Sequence, residues 1–267
     1  VIPHLELLHE APKAQARPVP ALLFVHGAFC GAWCWQQTFM PWFAARGFDC
    51  WAVSLEGHAG SEGRHYLGAV SIEDYRRNLC SVVKLMKQPP IMIAHSMGGF
   101  VLQQYLQHSA LPGAAFLASV PPTGMATPSL RMMTQAPALF MKLNLYQHGS
   151  YDPDVRELRD LLFSTDAPIE AIETAIRLCQ PESERAVMDM AMVNPLSIRQ
   201  IHPTPTLVLG AAEDQLIGPE DVVATARQLG VSAEILPQMG HMMMMDTHWE
   251  HTALRLLTWL ETLETLA

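Results

Sequence analysis

Residues 91–99 read Ile91-Met-Ile-Ala-His-Ser96-Met-Gly-Gly99: an apolar β-rich run breaks onto a serine, and a helical pattern starts at once. Such a junction predicts a strand that turns sharply into a helix. A serine on that turn is lifted above the sheet, and the helix N-terminus behind it favours developing negative charge. The turn brings strand and helix backbones close together, so small neighbours are needed. Ala94 and Gly98 stand two residues either side of Ser96, where such elbows commonly carry glycine at both places. The competing reading is a serine that simply caps the helix.

Working outward, further apolar runs alternate with helical patterns. The predicted strands are 21–26, 50–55, 91–95, 114–120, 206–210 and 233–237. They are nearly continuous in apolar residues, as expected of strands buried on both faces. The predicted helices are 35–45, ending before Gly47; 72–87, opening after Ser71 with Asp74 as partner in a capping box; 97–108; 219–229; and 248–266. This alternation is that of an α/β protein built on a mostly parallel central sheet with flanking helices.

Residues 121–203 interrupt the alternation. They carry prolines at 122, 128, 137, 153, 168, 181 and 195, and methionines at 125, 132, 133, 141, 188, 190 and 192. The pattern predicts short helices without a strand, and the segment is too long for a bare loop. We expect a helical cap insertion over residues 121–203, laid on a core formed by residues 1–120 and 204–267.

Three more stretches follow predicted strands and carry polar groups. Val25-His-Gly-Ala-Phe-Cys-Gly-Ala-Trp33 is a loop able to supply a backbone N–H. With the N–H of Met97, that of Ala28 would complete a pair of donors for an oxyanion. Thr206-Leu-Val-Leu-Gly-Ala-Ala-Glu-Asp214 ends on two carboxylates, Glu213 and Asp214, at the sheet edge where ligands bind in open α/β folds. Leu236-Pro-Gln-Met-Gly-His241 places a histidine after a glycine that lets the chain bend. The chain has 12 histidines; His202, His248 and His251 read as surface or helix-face residues. A metal site at His248-Trp-Glu-His251 would need a third ligand at suitable spacing, so neither metal nor cofactor is expected. The order of loop, serine, acid and histidine, each after its own strand, fits nucleophilic catalysis by a Ser-His-acid set.

Composition narrows the function classes. The 267 residues are 49% apolar and 16% charged, enough for a sizeable core. A formal charge of −9 without any Lys/Arg run argues against nucleic acid as a partner. No run approaches the roughly 20 apolar residues of a membrane span. The first 20 residues lack the basic start and apolar run of a signal peptide, so a cytoplasmic protein is expected if the native chain starts there. Five cysteines at 30, 34, 50, 80 and 179 form no CxxC pair and read as small buried apolar residues in a reducing compartment. Cys30 and Cys34, four residues apart, could pair only if the local geometry allowed. Nothing in the sequence speaks to oligomeric state.

Over most of its length the chain resembles the α/β-hydrolase superfamily. The resemblance is to the esterase and hydroxynitrile-lyase group, on its esterase side, through HGAFCGAW at 26–33, SLEGHAGSEG at 54–63 and GHMMMMDTHWE at 240–250. It implies a triad of Ser96, Asp214 and His241, ranking Asp214 above Glu213, with Ala28 and Met97 as oxyanion donors. Some members take their acid from the strand after the elbow helix; here that place reads Ala118-Ser-Val-Pro-Pro122, without a carboxylate. The lyases of the group carry threonine and lysine where this chain has Gly27 and Met242, and dehalogenases carry an aspartate in place of Ser96.

The resemblance therefore implies hydrolysis of a small-molecule carboxylic ester through an acyl-enzyme. The alternatives on the same residues are a carbon–carbon bond hydrolase, a lactonase, or a slow or non-catalytic ligand-binding member. The abundant methionines suggest either an adaptable apolar pocket or ordinary core. For the pocket, the expected residues are Phe29, His95, Met125, Leu216 and Met242.

Overall fold

The computed structural model describes residues 3–191 and 201–264. Met192, Pro195 and the last residues of the predicted final helix lie outside these. Seven strands form one sheet: β1 (Leu7–Glu10), β2 (Leu22–Val25), β3 (Cys50–Val53), β4 (Ile91–His95), β5 (Ala114–Leu117), β6 (Thr206–Ala211) and β7 (Ala233–Leu236). Their spatial order is β1-β3-β2-β4-β5-β6-β7. Only β1 runs antiparallel to its neighbour, so six strands point their C-terminal ends to one edge.

Alternate residues of each strand enter different cores. Leu22, Phe24, Ile91, Ile93, Ala115 and Leu117 face one side. There they meet α1 (Trp33–Gln36), α2 (Phe39–Ala44) and α11 (Trp249–Glu264), through Trp35, Phe39, Phe43, Leu256 and Leu260. Leu23, Val25, Met92, Ala94, Ala114 and Phe116 face the other side. They meet α3 (Ile72–Leu85), α4 (Met97–Leu106) and α10 (Pro219–Gln228). Burial on both faces is why these strands are apolar throughout instead of alternating.

Two elements depart from the sequence reading. β1 is not predicted, because its four residues, LLHE, sit half-exposed at the sheet edge and carry no continuous apolar run. The predicted helix 35–45 is two short helices. Pro41 has no N–H and would clash with the carbonyl of Gln37 in a continuous helix. The chain breaks at Thr38 (φ −124°, ψ −76°), which puts Pro41 in the first turn of α2, where an N–H has no helical partner anyway. The Thr38 hydroxyl donates to the Met244 carbonyl at 2.7 Å, tying this break to the loop after β7. At α3 the Ser71–Asp74 capping box forms as the sequence indicates.

Between β5 and β6 the described chain forms α5 (Ala126–Gln135), α6 (Pro137–Gln147), α7 (Val155–Leu162), α8 (Ile169–Leu178) and α9 (Glu184–Ala191), without a strand. This segment bonds to loops at the C-terminal ends of several strands. Gln180 N–H donates to Phe29 C=O after β2 (2.9 Å), and Met242 N–H, after β7, donates to Leu162 C=O (2.8 Å). Arg131 pairs with Glu220 and Asp221 beyond β6. Glu182 meets His58 beyond β3 at 3.0 Å, both side chains fully buried.

Candidate active site

β4 ends at His95 and α4 begins at Met97, leaving Ser96 alone in the turn with φ 51° and ψ −119°. A non-glycine residue held there costs roughly 1–3 kcal/mol, so the surroundings must enforce it. They do so through the Ser96 backbone: its N–H donates to Leu117 C=O at 3.0 Å, and its C=O accepts from Gly99 and Val120 N–H at 3.0 and 3.2 Å. A Cβ on Gly98 would lie 2.4 Å from the His26 carbonyl oxygen, so this position admits only glycine. Ala94 packs its methyl into the core on the α4 side without displacing a neighbour. The Ser96 hydroxyl makes no capping bond to α4. It lies 3.0 Å from Nε2 of His241.

Asp214 follows β6 and is buried. Its Oδ1 accepts the N–H groups of Leu216 and Ile217 at 2.8 and 2.9 Å, which fixes the carboxylate plane. Its Oδ2 is 2.7 Å from Nδ1 of His241. A carboxylate in this position accepts, so Nδ1 carries the proton and Nε2 presents a lone pair to Ser96. Among the described residues, the Glu213 carboxylate accepts from the Thr165 N–H alone, at 3.4 Å. His202 is exposed, and His248 and His251 stack on each other, 5.2 Å between ring centres.

His241 is held from below. A Cβ on Gly240 would lie 2.3 Å from the Phe163 carbonyl carbon, so the loop passes directly against the α7–α8 connection. The Gly240 N–H donates to Asp246 Oδ2 at 2.8 Å. The fully buried Asp246 also accepts from the N–H and hydroxyl of Ser164 (2.8 and 2.5 Å) and from the Thr247 N–H (2.7 Å). Sequence reading missed Asp246. Its only signal was a carboxylate after four methionines, a place where an unpartnered charge would not be buried.

The loop after β2 is clamped by His26. Nε2 accepts the Leu55 N–H at 2.9 Å, which leaves Nδ1–H to donate to the Gly27 carbonyl at 2.7 Å. Burial and the neighbouring His58 push its pKa down to about 3, so the ring stays neutral and the clamp holds across the working pH range. Within the described residues, the N–H groups of Ala28 and Met97 meet no acceptor.

A mostly apolar cleft lies under α6 and α7 and reaches the loops after β2 and β6 at Phe29 and Leu216. Phe29 and Leu216 line it, together with Leu139, Leu143, Tyr146 and Leu158. Lys142, Glu157 and Tyr151 also border it, with the carboxylate of Glu157 engaged by both the ammonium and the phenol.

The other three expected pocket residues sit elsewhere. His95 is buried beneath His241, donating Nε2–H to the His241 carbonyl. Met242 is fixed to Leu162 and buried in the core. Met125 starts α5 and bonds to Met190 C=O. None of the three lines the cleft. The missed lining residues Leu139, Leu143 and Tyr146 follow i, i+4, i+7 spacing, the signal by which α6 could have been placed.

Comparison with known proteins agrees with this architecture. A profile described as the alpha/beta hydrolase family matches residues 22–252. The chain is 25% identical over 221 residues to a pyrethroid hydrolase of Sphingobium wenxiniae, covering 79% of this chain and 75% of that protein. It is 27% identical over 217 residues to the pFDCC methylesterase of Arabidopsis thaliana, covering 76% and 80%. Among solved structures, a thermophilic esterase from Thermogutta terrifontis superposes with a TM-score of 0.69 at 19% identity, over 98% of this chain and 94% of that one. With its sheet order, its strained serine turn and a family match spanning most of its length, the chain belongs to the alpha/beta hydrolase family.

Proposed function

We propose that this chain is a serine hydrolase of carboxylic esters, acting through an acyl-enzyme on Ser96. The observation that carries the reading is the continuous relay from Ser96 Oγ to His241 (3.0 Å) and on to Asp214 (2.7 Å), all three buried. His241 Nε2 takes the Ser96 proton as Oγ attacks the ester carbonyl, and Asp214 holds the tautomer and stabilises the imidazolium. The Ala28 and Met97 N–H groups receive the oxyanion, aided by the N-terminus of α4. His241 then protonates the departing alcohol. A water activated by the same imidazole releases the acid.

The apolar cleft favours a small to medium aliphatic or aromatic group, and among the described residues the engaged charges at its border leave no free cation for a phosphorylated or carboxylate-bearing substrate. The described part of residues 121–203 acts in this reading as a helical cap over the site. Two relatives named for hydrolysis, of pyrethroids and of a methyl ester, support ester cleavage. Turnover of p-nitrophenyl esters from acetate to decanoate, by wild type and Ser96→Ala side by side, tests it. We expect roughly a thousandfold or greater loss in the variant and a distinct chain-length optimum. Near-wild-type turnover in Ser96→Ala would overturn the assignment.

A further inference from the structure

All five cysteines are free, and three of them converge. Cys30 lies near both Cys34 and Cys179, close enough to Cys179 for the two thiols to shift each other's ionisation. The backbone brings Cys30 and Cys179 together: the Gln180 N–H donates to the Phe29 carbonyl at 2.9 Å, and Cys179 and Cys30 adjoin these two residues. The Gln180 side chain reinforces the crossing by donating to Gly57 C=O at 3.0 Å and accepting from Ala59 N–H at 3.2 Å. Cys30 and Cys34 are buried, but Cys179 is partly exposed. It borders both the apolar cleft and an outer hollow with Tyr151, Pro153 and Pro181, so a small molecule can reach it.

We propose that Cys30 and Cys179 form an oxidisable dithiol pair that a low-molecular-weight disulfide closes into a bridge between the loop after β2 and the α8–α9 connection. Cys179, as thiolate, attacks one sulfur of the disulfide RSSR. A Cys179–S–S–R bond forms, RS⁻ leaves, and the proton given up by Cys179 converts it to RSH. The Cys30 thiolate then attacks the Cys179 sulfur and expels the second RS⁻, which takes the Cys30 proton. Two protein thiols are oxidised and one RSSR is reduced to two RSH. Cys34 is a poor alternative partner because it is as buried as Cys30, so that pair offers no exposed thiol to meet the disulfide first. The Cys30 neighbour and burial hold the Cys179 thiol well above its ordinary range, so closure is slow at neutral pH and follows the thiolate fraction upward.

The test uses the whole chain and does not depend on the chemistry at Ser96. The protein is incubated with oxidised glutathione at pH 7 and pH 8, alkylated, digested without reductant and mapped by mass spectrometry. We expect a Cys30–Cys179 linked peptide that dithiothreitol removes, that still forms in Cys34→Ser, and that appears about tenfold faster at pH 8. A Cys30–Cys34 link, glutathione left unresolved on Cys179, or full alkylation of all five cysteines would each overturn the proposal.

Discussion

His95 donates its Nε2–H to the main-chain carbonyl of His241 at 2.9 Å, with 4.6 Å between the ring centres. The residue before the serine thus holds the backbone of the histidine that faces that serine. Burial and the nearby His241 keep the His95 pKa well below its ordinary value, so the ring is neutral and its tautomer is set by this bond. Among the described residues, its buried Nδ1 has no partner.

The bond makes His95 a positioning residue. His95→Leu leaves the His241 carbonyl with only the Met243 N–H, and should lower turnover about tenfold with little change in KM. His95→Gln, whose amide nitrogen falls where Nε2 was, should recover most of the loss. Steady-state kinetics of both variants on one ester checks this; equal losses would mean that packing, not the bond, matters.

Asp246 should matter as much as residues nearer the chemistry. Its carboxylate gathers four donors, one of them the Gly240 N–H. Asp246→Asn replaces an acceptor with an amide that confronts N–H groups, at a cost of about 1–3 kcal/mol. Urea unfolding and turnover should fall together, since the same bonds hold the fold and the His241 loop.

The His58–Glu182 contact links pH to stability. Burial opposes charge on His58, but Glu182 and the Glu56 carbonyl outweigh it and raise the His58 pKa. Burial likewise opposes charge on Glu182, yet His58, Tyr75 and Ser183 outweigh it and lower the Glu182 pKa. His58 therefore contributes fully below its unfolded pKa and loses the contribution as pH rises through its raised folded value. Glu182 contributes fully above its unfolded pKa and loses it as pH falls through its depressed folded value. Glu182→Gln should cost about 3–5 kcal/mol near neutrality and flatten the alkaline decline. The double variant with His58→Gln should cost less than the sum of the single changes, as urea melts from pH 4 to 9 would show.

Gly98 and Ala94 flank Ser96 symmetrically in sequence but not in space. Gly98→Ala drives a methyl to 2.4 Å from the His26 carbonyl and should cost about 2–4 kcal/mol, with loss of turnover. Ala94→Gly removes a packed methyl and loosens a strand, and should cost about 1 kcal/mol with turnover kept. Thermal melts of the two variants, run together, distinguish them.

The sequence by itself determined the elements whose signal is local. Continuous apolar runs mark β2 to β6 because burial on both faces demands them, and Ile91–Gly99 marks the serine turn because only small residues fit there. It also supplied the order of Ser96, Asp214 and His241, since each had to follow a strand end. Tertiary structure alone decided what depends on meetings across the chain. It holds the Asp214 carboxylate against His241 through the N–H groups of Leu216 and Ile217, and turns Glu213 to Thr165. It sent His95, Met125 and Met242 away from the cleft and brought Leu139, Leu143 and Tyr146 to it. It also created the buried partnerships of Asp246 and of His58 with Glu182. A charge or thiol is placed by the partner that satisfies it, and here such partners stand far apart in sequence, 149 residues between Cys30 and Cys179.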